Sequence, residues 1–353
     1  MQKRKILFFL MSAVGGAERM TVNIAKMMAL AGYSVIIVAI GKTFPILDFV
    51  PSNIKTIKLS HHNFNFLTLR IIKIIIQEKP DLTFSSSVFC SPRVIIASKL
   101  LGKKVLVRSS GMVGRYRKAD YLKIRFTYPL ATMLIAQQEE MRQEMSKLLN
   151  IPLERIVTLN NPLDVNTIEE RKSAPSPYRD SNCIRYVNVS RVKRVKGHDI
   201  AILAFAKVIK AIPNAHLYFV GNYDIKDNYY KQLVDLLTKL KLQNVVHFVG
   251  YDSNPYRWIA NANCFVFPSK REGLPNALIE ASYIGVPCVA TRCLNIISDI
   301  IHDGYNGYTT EVDDVNAIAE SMIKAINLKD YTMTYHPSSD LDFINLFKHL
   351  CEK

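Results

Sequence analysis

The 353-residue chain has little of what marks a secreted, fibrous or membrane-spanning protein. Its six cysteines (Cys90, Cys183, Cys264, Cys288, Cys293, Cys351) include no Cys-x-x-Cys pair and no His at zinc-ligand spacing. A disulfide framework and a structural zinc are both disfavoured on that count. Several sit in apolar runs such as Cys264-Phe265-Val266-Phe267, where free Cys behaves as a small core residue, so they read as reduced thiols of a cytosolic protein. With 14 Gly and 15 Pro, the chain is neither collagen-like nor of low complexity, and 49% hydrophobic residues exclude broad disorder. No window reaches the ~18 consecutive apolar residues of a membrane-spanning helix. Acid is scarce as well: 30 Asp+Glu stand against 46 Lys+Arg, a net charge of +16. The deficit is local, since residues 1–180 hold 27 basic and 13 acidic side chains and residues 181–353 hold 19 and 17. A basic excess confined to one half predicts a surface that meets polyanions, either membrane or nucleic acid.

What is present is an alternation of short apolar runs with helical segments. Lys3-Arg4-Lys5 followed by Ile6–Met11 has the spelling of a signal peptide. The helix-forming stretch 17–31, Gly32, and the second apolar run Val35–Ile40 instead make residues 6–40 a βαβ unit. Strands are expected at 6–11, 35–40, 54–59, 82–85, 104–108 and 132–136, then at 184–189, 215–220, 245–249, 264–267 and 287–290. Continuous apolar strands imply burial on both faces, hence mostly parallel sheets between helix layers. Residues 161–182 carry Pro162, Pro175 and Pro177 with little periodicity, which reads as a break between domains. The expected architecture is α/β: two doubly wound, Rossmann-like domains at 1–165 and 183–330, a linker at 166–182, and a final helix in 331–353 packing back on the first domain. Ligands of such sheets bind at the carboxyl ends of the strands, so a shared ligand is expected in the cleft that the two domains face.

Three strand-end segments carry chemistry. Pro268-Ser269-Lys270-Arg271-Glu272-Gly273-Leu274-Pro275-Asn276 leads into a helix that carries Glu280. Pro275 suits a first helical position, and the loop before it would aim backbone N–H groups and the helix dipole at an anion. Two carboxylates at different depths suit a ligand with hydroxyls at both ends and an anionic middle, although spacing alone fits a solvated strand–loop–helix junction equally well. Ser190–Asp199 places Arg191 and Lys196 five residues apart before a helix, a fork and a point charge that can hold one diphosphate. Gly15-Gly16 lies between the first strand and first helix, where backbone can approach a ligand closely. Neither a GxGxxG nor a GxxxxGK[ST] is present. Asp340-Leu341-Asp342 has the spelling of a metal-binding pair, but its place near the chain end reads as a helix start.

Together these residues resemble the retaining nucleotide-sugar glycosyltransferases of family 4, or glycosyl transferases group 1, with the GT-B fold. The likeness runs from Gly15-Gly16 to about residue 325 and is strongest at Glu272-Gly273-Leu274-Pro275-Asn276 with Glu280, the family's Glu-(x)7-Glu. It implies that Arg191 and Lys196 neutralise the donor diphosphate, that Glu272 holds sugar hydroxyls, and that the backbone of Gly273, Leu274 and Asn276, next to Pro275, meets sugar and phosphate. It implies further that Glu280 binds the ribose and that Gly15 and Gly16 meet the diphosphate from the first domain. No cofactor and no metal are expected, because Arg, Lys and helix ends supply the electrostatics. The family's His after a middle strand of the first domain is missing; Arg108 or Ser110 takes that place, on the acceptor side. His61, His62, His198 and His247 are poor bases by position.

From Ser91 to Tyr128 ten cations face one acid, Asp120, with Tyr116, Tyr121, Phe126 and Tyr128 interleaved. Arg115, Arg117, Lys118, Lys123 and Arg125 form the densest part. Such a mixture suits the headgroups of an anionic bilayer. The apolar segment 66–76 fits a packed core helix better than a membrane contact. The resemblance then implies a cytoplasmic enzyme, peripheral at the inner face of the membrane. It would move a hexose or N-acetylhexosamine from a nucleoside-diphosphate sugar, by family habit UDP-linked, to a lipid-linked or glycan acceptor in capsule, lipopolysaccharide or protein-glycan assembly. The contrasting readings are a nucleic-acid-binding protein using the same patch, which has no recognisable binding motif, and a nucleotide-sugar epimerase on the same fold.

Overall fold

The computed structural model describes residues 3–13, 15–60, 66–178 and 182–352; His61 and His62 lie outside them. Two compact units emerge: residues 1–162 with 337–353, and residues 163–336.

The first unit is a seven-stranded parallel sheet, order β3-β2-β1-β4-β5-β6-β7, built from β1 (Lys5–Met11), β2 (Ser34–Gly41), β3 (Lys55–Ser60), β4 (Leu82–Ser85), β5 (Lys104–Arg108), β6 (Met133–Ala136) and β7 (Ile156–Thr158). Helices α1 (Gly16–Leu30), α2 (Leu67–Glu78), α3 (Ser91–Leu100), α4 (Lys118–Thr127) and α5 (Glu139–Leu149) alternate with the strands. The apolar runs are buried on both faces for the reason the sequence indicates. Along β1, Leu7 and Phe9 join the core under α2 to α5, while Ile6, Phe8 and Leu10 join the core under α1.

The second unit is a six-stranded parallel sheet, order β10-β9-β8-β11-β12-β13. Its strands are β8 (Ile184–Val189), β9 (Ala215–Val220), β10 (Val246–Gly250), β11 (Cys264–Phe267), β12 (Cys288–Thr291) and β13 (Gly307–Thr310). Its helices are α6 (Val165–Lys172), α7 (His198–Ala211), α8 (Asn228–Leu240), α9 (Tyr256–Ala260), α10 (Asn276–Ile284), α11 (Ile297–Ile300) and α12 (Val315–Ala325). A last helix, α13 (Asp340–Glu352), returns to the first unit, where Phe347 stacks on Phe8 with centroids 5.9 Å apart and Phe343 is fully buried. Each such ring contributes about 2–3 kcal/mol by burial alone.

The two parallel sheets give the expected α/β class. Two strands escaped the sequence reading. β7 is only three residues long, and β13 is Gly-Tyr-Thr-Thr, too polar to register as an apolar run. The stretch 166–182 also differs from a plain linker. Asp164 caps α6 by accepting from the Thr167 N–H, and Glu169 accepts from the Tyr283 hydroxyl at 2.9 Å, so the segment is helical and tied into the second unit before Pro175 and Pro177 break it. Asp340 and Asp342 lie in the first turn of α13, and Ser339 donates to Asp342 from both N–H and Oγ at 2.8 Å. All six cysteines are free thiols, five of them buried. No described helix is long and apolar enough to cross a membrane.

Candidate active site

The chemistry concentrates at the carboxyl ends of β8 and β11, neighbours at the centre of the second sheet. After β8 the chain makes a loop and a short 3-10 turn (Arg194–Lys196), then passes through Gly197 into α7. Gly197 has φ +69°, and a Cβ there would stand 1.9 Å from the Pro268 carbonyl oxygen, so only glycine lets the two loops touch. Next to that contact, the Lys270 N–H donates to the Val195 carbonyl at 2.8 Å. Below it, Asn188 donates to the Val266 carbonyl at 2.8 Å and accepts from Ser190 Oγ at 2.7 Å. From β12, the Thr291 hydroxyl donates to the Ser269 carbonyl at 2.5 Å.

This stitching brings Lys196 and Glu272 together: Lys196 Nζ lies 2.5 Å from Glu272 Oε1, which also accepts from Ser269 Oγ at 2.7 Å. The carboxylate side chain is 10% exposed and the lysine 25%, so the pair is shielded on one side and open on the other. The Arg191 guanidinium lies on the surface of the same loop and has no protein partner among the described residues. Glu280 is half-buried on α10, one turn past its start. Lys196, paired with Glu272 beside the N-terminus of α7, and Arg191 earlier in the same loop are cations that can hold a polyphosphate, with the Glu272 carboxylate able to accept hydroxyl hydrogens.

Two details differ from the sequence reading. Pro275 is the cap of α10 and Asn276 its first residue, and the Asn276 N–H is spent on the Leu274 carbonyl at 3.0 Å. Residues the sequence reading missed also belong here. Cys293, after β12, feels the charges of Glu272 and Lys196; burial and the Glu272 carboxylate push its thiol up to about 11, so it is neutral at ordinary pH. Lys270 pairs with Asp313 at 2.8 Å; burial opposes its charge, but the bond to Asp313 and the nearby Asp199 outweigh burial and hold its pKa above the usual lysine value. The signal for both was positional: each follows or faces a strand end of a parallel sheet.

His198, first residue of α7, is fully buried with Nε2 3.2 Å from Ser190 Oγ. Burial brings its pKa down from 6.5 to about 4, with Asp199 offsetting part of the change. It is neutral at working pH and braces the loop instead of moving protons. Since the unfolded chain takes up this proton near pH 6.5 and the folded chain only near pH 4, stability is lost as pH falls through that window. The full loss is about 3 kcal/mol. His198→Gln should flatten the difference between denaturant midpoints measured at pH 4.5 and pH 7 relative to the parent; an unchanged difference would assign the acid sensitivity elsewhere.

In the first unit, Gly15 caps α1 and Gly16 is its first residue, with open space where a Gly16 Cβ would stand. Arg108 ends β5 and is 1% exposed, its Nη2 bonded to Asn161 Oδ1; Ser110 Oγ lies 3.4 Å from the Tyr116 hydroxyl. Arg115, Arg117, Lys118, Lys123 and Arg125 are all exposed on and before α4. Lys123 pairs with Asp120 at 3.1 Å, and Arg125 donates to the Leu148 carbonyl at 2.5 Å.

Two parallel α/β units with this loop pair define a protein of the GT-B class. Residues 14–167 match glycosyltransferase family 4 and residues 170–336 match glycosyl transferases group 1, so the chain belongs to this family. It is 28% identical over 244 residues to an uncharacterized glycosyltransferase of Methanocaldococcus jannaschii, a match covering 64% of this chain and 59% of that protein. It is 25% identical over 199 residues to the Campylobacter jejuni N-acetylgalactosamine-N,N'-diacetylbacillosaminyl-diphospho-undecaprenol 4-alpha-N-acetylgalactosaminyltransferase, covering 56% of this chain and 52% of that enzyme. Both matches span less than two thirds of the relative's length. Among solved structures, Anabaena HepE in complex with UDP and glucose superposes with a TM-score of 0.82 over 99% of both chains at 19% identity.

Proposed function

We propose that the protein transfers a hexose or N-acetylhexosamine from a UDP-sugar, with retention at the anomeric carbon, to a lipid-linked or glycan acceptor in bacterial surface-polysaccharide or glycan assembly. The observation that carries this reading is the cluster of Lys196, Glu272 and Ser269, with Arg191 exposed in the same loop as Lys196. It pairs cations for a leaving diphosphate with a carboxylate for sugar hydroxyls. Two similar proteins support it: one is named an N-acetylgalactosaminyltransferase of a diphospho-undecaprenol-linked sugar, and one is solved with UDP and glucose.

In this reading Lys196 and Glu272 hold each other at rest. When the donor enters, its diphosphate takes the Lys196 and Arg191 charges, and Glu272 turns to the sugar. Charge then builds on the departing phosphate, where fixed cations and a helix end stabilise it without a metal. No carboxylate among the described residues is assigned as a separate nucleophile, so attack from the departing side, assisted by the leaving phosphate, accounts for retention. Gly273, Leu274 and Asn276 border the sugar and phosphate, Glu280 the ribose. The test is thermal protection by a panel of nucleotide sugars, followed by the anomeric configuration of the product with and without EDTA. Protection by no nucleotide sugar, or dependence on added Mn2+ or Mg2+, overturns the corresponding part.

The acceptor side is proposed to meet an anionic membrane at its inner face. Beside its cations α4 exposes Leu122 and Phe126, the latter by 72%, and the neighbouring α3 and α2 expose Ile96, Leu100, Leu69 and Ile76. Thus α2 is a core helix on one face, through Ile71, Ile74 and Ile75, and an apolar surface on the other. Each cation near such a surface contributes roughly 1 kcal/mol, and charge screening shortens to about 3 Å at 1 M salt. Co-sedimentation with anionic vesicles should therefore fall steeply with salt, and Arg115, Arg117, Lys118 and Lys123 changed together to Glu should abolish it while donor affinity stays. Tight binding of duplex nucleic acid with indifference to vesicles would favour the other polyanion.

A further inference from the structure

Of the described Lys, Arg, Asp and Glu side chains, Arg108 alone is buried. It stands at the carboxyl end of β5, in the half of the sheet beyond the β1/β4 reversal of strand order, the edge at which doubly wound sheets bind ligands. Ser109, Gln137, Gln138 and Asn161 are buried at the ends of β5, β6 and β7, and no Asp or Glu among the described residues pairs with Arg108. Asn161 Oδ1 accepts from Nη2, while Nε is buried with no hydrogen-bond partner. Burial brings the Arg108 pKa down to about 10, and among the described residues the Tyr116 phenol is the titratable group whose charge reaches it, so Arg108 stays protonated.

A guanidinium buried without a counter-ion is costly for a fold to keep, and swapping such a charge for an apolar side chain is often stabilising. A buried Arg whose planar fork is only partly used is, in contrast, well suited to receive two oxygens of a phosphoryl or carboxylate group. The Tyr116 ring packs against the core of the first unit close enough to Arg108 for the charge of its phenol to be felt there. The Tyr116 hydroxyl reaches Ser110 Oγ and the Gly111 carbonyl only at 3.4 Å, the long limit of hydrogen bonding.

We propose that Arg108 anchors an oxyanion subsite in the first unit, where a phosphoryl or carboxylate group of the acceptor docks on its Nε edge as Tyr116 moves aside. The inference rests on the reading of this unit as the acceptor side and narrows it: the accepted substrate is acidic close to the hydroxyl that is glycosylated. It also gives the missing family His a physical replacement, since a buried fixed cation orients an anionic acceptor without exchanging protons with it.

The test uses the full chain carrying Arg191→Ala and Lys196→Ala, which removes the donor's anion clamp. Inorganic phosphate or glucuronate, at matched ionic strength against NaCl, should raise its thermal midpoint by several degrees, and glucose should not. Phosphate alone acting points to a phosphoryl acceptor, glucuronate alone to a carboxylate. Adding Arg108→Met should abolish the response and leave the ion-free midpoint equal or higher. If the Met variant fails to fold, Arg108→Lys must weaken apparent anion affinity at least about 10-fold. An anion response unchanged by either variant, or absent in the clamp-deleted parent, overturns the subsite. UDP protection of Arg108→Met in the otherwise native chain keeps the two readings apart. Protection equal to the parent's, with no anion response at Arg108, sinks this inference alone; a parent that UDP does not protect sinks the transferase reading itself.

Discussion

Changing Arg191 and Lys196 together to Ala should lower turnover by at least about 100-fold while the thermal midpoint changes little. Lys196 is a quarter exposed, and Arg191 lies on the surface with no protein partner among the described residues, so neither cation holds the core together. In the proposed reading the pair stands in the loop after β8, Lys196 held by Glu272, where diphosphate charge would grow. Preorganised cations of this kind typically contribute about 10²–10³ in kcat per group removed. Glu272→Ala should fall as far, for a different reason: its carboxylate is the common partner of Lys196 and Ser269. Its loss frees the lysine and removes the acceptor for sugar hydroxyls. Glu280→Ala should act mainly on KM for the donor, because in the proposed reading it meets the ribose and not the sugar that is transferred. Steady-state kinetics with the protective nucleotide sugar decide it. A double variant that turns over as fast as the parent would show that the diphosphate is held elsewhere.

Much of this arrangement was legible because strands buried on both faces leave an unmistakable apolar signature. Eleven of the strands described above coincide, within a residue or two, with runs such as Ile6–Met11 and Cys264–Phe267. β7 and β13 were missed because a sheet edge asks little of a strand: three residues suffice for one, and a Gly-Tyr-Thr-Thr sequence for the other. The helix α6 was masked by prolines that lie just after it. At the site, the spacing of Arg191 and Lys196 and the run from Glu272 to Glu280 were visible, but their relation was not. No spacing argument shows that Lys196 and Glu272, 76 residues apart, share a hydrogen bond at 2.5 Å. Nor could it show that Arg108 is buried, since a cation at the end of an apolar strand ordinarily turns outward.

Gly197→Ala should be among the most destabilising single changes available in the second unit, and it should weaken donor binding as well. At φ +69° an alanine pays the left-handed strain of about 1–2 kcal/mol. Gly285, at the end of α10 with φ +86° and nothing within 4 Å of an added Cβ, isolates that strain alone. At Gly197 the added carbon also lands 1.9 Å from the Pro268 carbonyl oxygen, a main-chain atom that can yield only if the loop after β11 moves. That movement stretches the bond from Lys270 N–H to the Val195 carbonyl and draws Lys196 off Glu272. Adding roughly 1 kcal/mol for the lost bond and more for the displaced loop gives a total near 3 kcal/mol or above. For a unit of this size that corresponds to a fall of about 6–12 °C in thermal midpoint, against about 2–8 °C for Gly285→Ala. Calorimetry of the two variants beside the parent, with and without UDP, checks both parts. Equal shifts at the two glycines would mean that the loops do not bear on each other at Gly197, and undiminished protection by UDP would mean that their contact does not position Lys196.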